Sequence, residues 1–461
     1  MTFSALDSGL TGPLLATAAM RDCFSDRARL AAMLRVEAAL ARAEAGLGLA
    51  PAGLAEAIEG IGADALVLVG IGAATALAGA PTIPFVKAVQ ARLPPAMERA
   101  FHKGATTQDI LDTALVLQCR EAFGLLRADL LGVLEGLAGI AGAHRATPCV
   151  GRTYGQHAAP ISFGFKAAGW LAGVSEAAAL LPGVEARLLT ASLGGPVGTL
   201  ASLGDKGPTV LEAFAQGLGL AAPALAWHTR RGRVAEAGCW LAGLIGALGK
   251  LATDVASLAS TEVGEVAEPY APGRGGSSAM PHKRNPVSCT VILAAHAAAP
   301  GLAATLLGAM AAAHERPAGL WHAEWHALPS LFGLASGALH EARVLAEGME
   351  IDPGRMLANL ELTKGLLFAD AAAGRLTGAL GREAAHSAVE HAAGTVRRTG
   401  RPLRDVLADD AGLAGIDLAP AFDLAPAVSA AGPWVDRAIE TAARVRATLQ
   451  TDHRTGMNPC L

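Results

Sequence analysis

Aromatic residues are scarce in this sequence, and runs in which β-branched residues alternate with polar ones are nearly absent. Phe, Trp and Tyr together make up 4% of the 461 residues, with 2 tyrosines in all. Alternating β-branched and aromatic runs are typical of strands, so their scarcity argues against a sheet-based domain. Alanine, leucine and glycine dominate instead. Because alanine and leucine favour helix, the composition predicts an all-α protein.

Cysteine and net charge are also low. The 6 cysteines are scattered without the spacing of zinc ligands or of a disulfide framework, which indicates free thiols in a reducing cytosol. The 37 basic and 41 acidic residues leave a net charge of −4, so nothing global points to nucleic acid as a partner. The N-terminal residues lack the basic segment followed by an apolar core that is typical of a secretory signal. We therefore expect a cytoplasmic protein.

Charged residues are nearly missing from two long stretches, residues 65–86 and 287–313. Pro81 and Pro84 make the first a poor spanning helix, and Pro300 interrupts the second. A helix that is apolar on all sides can instead lie at the centre of a large bundle. Because the flanking segments are rich in charge, we interpret both stretches as buried helices and expect no contact with membranes.

Apolar residues recur with helical spacing over two long segments. One pattern predicts a helix from about 233 to 261, and another runs from 113 to 140. Helices of this length indicate an elongated bundle, and their broad apolar faces indicate further burial against other subunits. We expect a central bundle over residues 111–350, flanked by two smaller helical domains over 1–110 and 351–461.

Residues 273–286 concentrate the most chemistry in the chain, and they read Gly-Arg-Gly-Gly-Ser-Ser-Ala-Met-Pro-His-Lys-Arg-Asn-Pro. The three glycines make the backbone mobile, so the segment can close over a ligand and open again. Its hydroxyls, on Ser277 and Ser278, and its cations, which include Lys283, are groups suited to a carbanion beside a carboxylate. On these residues alone, an ordinary basic surface loop is the alternative.

Three further segments carry polar residues suited to a ligand. Residues 102–109, His-Lys-Gly-Ala-Thr-Thr-Gln-Asp, can cradle a carboxylate at a helix start or can simply cap the helix. Residues 151–160 place an arginine, a hydroxyl and an amide before a helix. Residues 314–326 hold His322 and His326 at i, i+4 spacing, but the order of a zinc motif is missing and the neighbouring tryptophans indicate packing. We therefore expect no metal.

Taken in order, residues 102–109, 151–160 and 273–286 resemble the three motif regions of the fumarase/aspartase superfamily. The resemblance covers most of the chain. It implies an all-α homotetramer, with active sites built from segments of more than one subunit and with no cofactor. The implied chemistry is proton delivery or abstraction beside a carboxylate, coupled to addition or loss of a group on the neighbouring carbon.

Two positions depart from the pattern of many superfamily members. In those members a histidine ends the second motif and acts with a glutamate five residues after the loop asparagine. Here Tyr154 and Thr290 occupy the two positions. Hydroxide and amines leave poorly unless protonated, whereas a carboxylate is already a stable anion, since its acid has a pKa of about 4. The paired loss favours a cycloisomerase that closes a lactone with the substrate's own carboxylate.

Residues 24–29, 36–43, 314–316 and 319–325 resemble this lactone-forming branch too, which implies a small tricarboxylate substrate. Two alternatives stay open. One is a C–N lyase that performs β-elimination, and the absence of the histidine–glutamate pair, which we call the relay, argues against it. The other is a non-catalytic relative that serves as a structural protein, and the intact loop at residues 273–286, which we call the signature loop, argues against it.

The resemblance also implies roles for individual residues. We expect Lys283 and Arg316 to stabilise the aci-carboxylate as negative charge develops. Ser278 is expected to deliver the proton to the α-carbon, with Ser277 as the alternative. The expected substrate-binding set is His102, Thr106, Thr107, Arg152, Tyr154, Gln156 and Asn285.

Overall fold

The architecture is helical, as the composition predicts, in a computed structural model that describes residues 3–276 and 279–456 and side chains as far as residue 451. The first half contains α1 Gly12–Leu15, α2 Ala18–Cys23, α3 Asp26–Gly46, α4 Leu54–Glu59, α5 Leu68–Ala78, α6 Thr82–Gln90, α7 Pro95–Glu98, α8 Thr107–Ala143, β1 Pro148–Thr153, β2 Gln156–Ser162, α9 Phe163–Ala179, α10 Leu181–Leu188 and α11 Gly207–Leu218. The second half contains α12 Gly232–Leu258, β3 Val266–Ala267, α13 Val287–Gly308, α14 Leu320–Gly348, β4 Glu350–Ile351, α15 Pro353–Leu360, α16 Ala369–Leu380, α17 Arg382–Thr399, α18 Leu403–Ala408 and α19 Ala425–Gly456.

Long helices form the centre of the molecule. Helices α8, α12, α13 and α14 contain 37, 27, 22 and 29 residues, and they pack side by side together with α9. Their facing apolar side chains form one continuous core that also receives α3. The predicted helix over 233–261 is Gly232–Leu258. The helix predicted over 113–140 begins earlier, because Thr106 and Asp109 form a capping box that starts α8 at Thr107.

Proline does not stop the apolar helix of residues 287–313. Helix α13 continues through Pro300, although a proline inside a helix removes one backbone hydrogen bond and clashes with the preceding turn. Packing of α13 against both α12 and α14 holds it helical. Burial of an apolar face thus outweighs the local preference of one residue.

The C-terminal third contains a second, smaller hydrophobic cluster, formed by α16, α17, α18 and the turns around them. Helix α19 then returns to the centre and packs against α8 and α9. The strands are few and short. Strands β1 and β2 form an antiparallel hairpin, and β3 pairs with β4.

Three helical segments have the length and apolar composition to cross a membrane, as judged from the described residues alone. They are Phe163–Leu188, which contains α9 and α10, Gly232–Leu258 and Val287–Gly308. In the most apolar window of each, 50%, 50% and 33% of the residues are buried within this one chain. All three lie in the bundle, and of the three windows that of α13 has the smallest share of buried residues.

A buried charge network ties the long helices together at one end of the bundle. Arg231, just before α12, bonds Asp112 of α8 through Nη1–Oδ2 at 2.7 Å, and it bonds Glu324 of α14 through Nε–Oε1 at 2.8 Å. All three side chains are 1% exposed. Trp321 Nε1 also donates to Asp112 Oδ1 at 2.9 Å. The network fixes the relative positions of α8, α12 and α14, which are far apart in sequence.

Removal of the Arg231 guanidinium should strongly destabilise the fold. An Arg231→Met variant leaves two carboxylates buried without their cation, which costs about 3–5 kcal/mol in comparable cases. Arg187→Met is the matched control, because its ion pair with Glu236 has side chains 56% and 39% exposed, and exposed pairs contribute about 0–1 kcal/mol. Urea unfolding of both variants measures the difference. Equal losses would contradict a special role for the buried network.

Candidate active site

The segment from His102 to Asp109 is a tight, polar turn that leads into α8. His102 and Gly104 have positive φ angles of 59° and 78°, and the first is uncommon for a residue with a Cβ. Thr106 caps the helix, and its backbone N–H donates to Asp109 Oδ2 at 3.0 Å. Thr107 is the first helical residue, and its carbonyl accepts from Thr82 Oγ1 at 3.3 Å. The turn therefore presents the hydroxyl side chains beside a helix N-terminus.

Asp109 organises the surroundings of this turn. Its two carboxylate oxygens also accept from the backbone N–H groups of Gly194 and Gly195, each at 2.9 Å, and from His228 Nε2 at 2.6 Å. Asp109 and His228 are both buried. Sequence reasoning missed His228 and the glycine loop, since neither lies within a recognised motif. The pair of glycines was the available signal, because closely approaching backbones favour glycine.

The structure brings two of the predicted site residues together. Arg316 Nη2 donates to Thr106 Oγ1 at 2.9 Å and to the carbonyl of Pro196 at 3.2 Å. Thr106 and Arg316 are 210 residues apart in sequence. Since Asp109 holds both the Thr106 turn and the glycine loop before Pro196, it sets the position of both partners of Arg316. The result is a cation beside a hydroxyl at a helix start, an arrangement suited to a carboxylate.

His102 contacts a buried glutamate of the N-terminal helix α3. Its Nδ1 lies 2.6 Å from Glu37 Oε1, and Glu37 is 1% exposed. Burial alone would lower the pKa of His102, but Glu37, Asp109 and Glu44 together outweigh it and raise that pKa, with Glu37 contributing most. Glu44, two turns further along α3, is equally buried, and burial raises its pKa to about 7. Sequence reasoning missed both acids. The available signal was that they lie seven residues apart, on the same apolar face of a helix.

A second group of predicted residues lies on the β1–β2 hairpin. Tyr154 and Gly155 form its two-residue loop with positive φ angles of 50° and 74°, so the loop has the backbone of a type I′ turn. Tyr154 is fully exposed within the chain, and Gln156 follows it as an exposed residue. Arg152 instead forms a bidentate pair with buried Glu265, with Nη1 3.0 Å from Oε2. Asn359 Nδ2 donates to the same carboxylate at 2.8 Å.

The signature loop lies near this hairpin. Ser277 and Ser278 fall outside the described residues. The backbone N–H of Asn285 donates to the carbonyl of Gly275 at 2.9 Å, which joins the two arms of the loop, and that of Lys283 donates to the carbonyl of Met280 at 3.0 Å within the second arm. A cleft of about 620 Å³ is lined by the loop and by the segment after α12. Its lining includes Lys283, Asn285, His282, Arg274, Glu268 and Tyr270.

The length of α12 separates the two groups of predicted residues. Arg231, at the start of α12, joins the end that carries Thr106 and Arg316. At the other end, the carbonyl of Leu258 accepts from the backbone N–H of Glu265, the partner of Arg152. The 27 residues of α12 span about 40 Å at about 1.5 Å per residue. Within one chain, the groups at the two ends therefore cannot contact the same small molecule.

The relay positions and the histidine-rich segment have other roles in the structure. Thr290 donates its hydroxyl to the carbonyl of Pro286 at 2.8 Å, four residues earlier on its own helix. Glu324 is committed to Arg231, and His322 Nε2 lies 3.1 Å from the carbonyl of Gly79. Among the described residues, no group of three His, Cys, Asp or Glu side chains is placed to hold a metal ion.

Glu44 should make stability depend on pH in an unusual direction. The pKa of Glu44 is raised to about 7 in the fold, whereas an unfolded glutamate titrates near about 4.3. The folded protein therefore keeps a proton that the unfolded chain loses, and stability falls as pH rises from about 4.3 to about 7. At about 1.4 kcal/mol per pH unit, the total loss over this range is up to about 4 kcal/mol.

Unfolding experiments at pH 5 and pH 8 can isolate this contribution. A Glu44→Gln variant should gain stability over the parent at pH 8 relative to pH 5, because the amide does not ionise. Glu383→Gln, at an exposed position, is the matched control and should show no such gain. A stability difference between parent and Glu44→Gln that does not change with pH would contradict the raised pKa of Glu44.

Comparison with known proteins places these features in a family. Residues 15–301 match a family model described as Lyase. The chain is 46% identical to 3-carboxy-cis,cis-muconate cycloisomerase of Pseudomonas aeruginosa over 92% of this chain and 94% of that protein. It is 43% identical to nitrosuccinate lyase of Streptomyces davaonensis over 95% of each chain. The crystal structure of the 3-carboxy-cis,cis-muconate lactonizing enzyme from Pseudomonas putida superposes with a TM-score of 0.91 at 45% identity, covering 95% of this chain and all of that one.

Proposed function

This chain belongs to the lyase family of the fumarase/aspartase superfamily, and we propose that it is a cycloisomerase that converts 3-carboxy-cis,cis-muconate to 4-carboxymuconolactone in protocatechuate degradation. The observation that carries the proposal is identity of 46% to such an enzyme along nearly the whole chain. The chemistry at the relay positions agrees with it. Tyr154 and Thr290 provide no histidine–glutamate relay, and this reaction needs none.

The reaction joins a carboxylate oxygen of the substrate to the β-carbon of a double bond. The attacking group is already an anion, so no general base is required. The electron pair of the double bond moves to the α-carbon and onto its carboxylate, which becomes an aci-carboxylate. A proton then completes the lactone at the α-carbon. Ser278 delivers this proton, and Ser277 is the alternative donor.

Cations are the main stabilising groups in this mechanism. Lys283 and Arg316 face the carboxylate whose α-carbon changes protonation, because developing negative charge is stabilised most by donors already in place. Thr106 and the carbonyl of Pro196 hold the Arg316 guanidinium in one orientation. The remaining carboxylates of the substrate are bound by His102, Thr106, Thr107, Arg152, Tyr154, Gln156 and Asn285.

Each active site is assembled from more than one subunit. Arg316 and Lys283 lie near opposite ends of α12, which is about 40 Å long, so one substrate reaches both only where two chains meet. Tyr154 stands fully exposed at the tip of its hairpin, as a residue that enters a neighbouring site would. Helix α13 leaves two thirds of its most apolar window uncovered. Burial of that surface between subunits supports a soluble, cytoplasmic homotetramer.

A second candidate function is elimination from nitrosuccinate. Identity of 43% to nitrosuccinate lyase extends over 95% of the chain. Loss of a nitro group releases nitrite, which, like a carboxylate, departs as a stable anion. The absent relay therefore excludes neither reaction, although it argues against elimination of a poor leaving group such as an amine.

Ultraviolet absorbance distinguishes these functions directly. Purified protein is offered 3-carboxy-cis,cis-muconate, nitrosuccinate and adenylosuccinate in separate assays. Adenylosuccinate tests the alternative of a C–N lyase that eliminates an amine. The change in conjugation is followed for each compound. We expect turnover of the first alone. Preferential turnover of nitrosuccinate would replace the proposed function with the second candidate. The mechanism uses no metal, so chelators should leave the rate unchanged.

Ser278→Ala should lower kcat by about a hundredfold or more, because the α-carbon loses its proton donor while the carboxylate contacts remain. Ser277→Ala is the matched control on the neighbouring hydroxyl and should retain far more activity. Both rates are measured with 3-carboxy-cis,cis-muconate after circular dichroism has confirmed the helical content. A near-normal rate for Ser278→Ala would remove this serine from the mechanism.

Mixing of two inactive variants tests the shared site. Arg316→Met and Lys283→Met alter opposite ends of the bundle and should each be nearly inactive. After joint unfolding and refolding, some sites combine two unaltered ends, so about a quarter of the activity should return if each site uses two chains. A mixture that stays as inactive as its components would contradict sites shared between subunits.

A further inference from the structure

A buried acid stands directly behind the predicted substrate-binding histidine. Glu37 is 1% exposed, and its Oε1 lies 2.6 Å from His102 Nδ1. The other oxygen, Oε2, has no hydrogen-bond partner among the described residues. A buried carboxylate with one unused oxygen is costly unless its charge is compensated. The imidazole of His102 is the ring that contacts it, and in the protonated form this ring supplies the compensating charge.

The opposite edge of the same imidazole is available for a ligand. The His102 side chain is 21% exposed, and its Nε2 makes no hydrogen bond with any part of the chain that the structure describes. His102 also holds a left-handed φ of 59°, a conformation that costs free energy for a residue with a Cβ. It precedes Thr106, the hydroxyl partner of Arg316, by four residues. The strained turn thus places His102 at the same end of the bundle as Thr106 and Arg316.

Building on the proposed function, we infer that Glu37 is a positioning residue that holds His102 as an imidazolium, so that Nε2–H donates a charge-assisted hydrogen bond to a substrate carboxylate. Glu37 itself does not contact the substrate. The pairing contributes orientation, because Nδ1 is fixed against the carboxylate. It also contributes charge, because a cation binds a carboxylate more strongly than a neutral donor does.

The charges around the ring agree with this assignment. Glu37 and Glu44 from α3 and Asp109 from α8 all act on His102 to favour the protonated form, and the neighbouring Lys103 acts on Glu44. Burial opposes protonation of His102, and Glu37 contributes most among the acids that favour it. A neutral replacement should lower the pKa of His102, because the effect of burial then meets less opposition.

Steady-state kinetics at pH 6 and pH 8 separates the positioning role from a purely structural one. Glu37→Gln keeps an oxygen that accepts from Nδ1–H but removes the charge. Relative to the parent, its KM at pH 8 should rise about tenfold or more with kcat within about twofold, since the loss falls on binding. At pH 6, where a larger fraction of the ring is protonated even without the Glu37 charge, the ratio of KM values should be clearly smaller than at pH 8.

Two further variants make the outcome specific. Glu37→Leu removes both the charge and the acceptor, so its KM defect should persist at pH 6. Glu44→Gln is the matched control, because Glu44 is as buried on the same helix but has no hydrogen bond to the ring. Its KM should change by less than about threefold at either pH. A KM ratio for Glu37→Gln that is the same at pH 6 and pH 8 would overturn the inference.

A readout without turnover separates this inference from the proposed function. Protein labelled at histidine Cε1 is titrated by nuclear magnetic resonance, and the His102 signal is assigned by its loss in His102→Gln. The pKa of His102 should be higher in the parent than in Glu37→Gln. If the parent fails to turn over 3-carboxy-cis,cis-muconate but this difference is found, only the proposed function fails. Identical titrations in a folded Glu37→Gln protein would contradict the pairing itself.

Discussion

The buried contact of Arg231 with Asp112 and Glu324 is the interaction on which the bundle's geometry depends. It joins the start of α12 to α8 and α14 where water is excluded. Because buried charges tolerate little displacement, the network holds three long helices in one register. Asp109 lies one turn before Asp112 on α8. The turn with Thr106 and the loop that contacts Arg316 are therefore positioned by the same rigid helix end.

Helix length imposes the second constraint, because it decides what one chain can accomplish. A rigid rod of about 40 Å keeps the arginine end and the signature loop apart. A small carboxylate substrate can be surrounded by both only at a junction of subunits. In the proposed mechanism, which uses both ends, the long helices of the stable core make catalysis depend on assembly, and the incompletely buried apolar surface of α13 is the surface that assembly would bury.

The pairing of buried carboxylates with specific partners links the core to the proposed chemistry. The described residues contain acids that are buried well away from solvent, and each meets a specific partner or retains a proton. Glu324 pairs with Arg231, Glu265 pairs with Arg152, and Glu37 pairs with His102. Glu44 lacks such a partner for one oxygen, and burial raises its pKa to about 7. A chain with little net charge can in this way place strong local charge at the site.

The sequence by itself determined the helical class, the approximate span of the long helices and the superfamily, because periodicity and motifs are local properties of the chain. The bundle pattern over 233–261 became Gly232–Leu258 with small changes at its ends. Only the tertiary structure decided which residues meet. The contact of Thr106 with Arg316 spans 210 residues, and that of His102 with Glu37 spans 65. Packing of the whole bundle sets such pairs, so no local pattern encodes them.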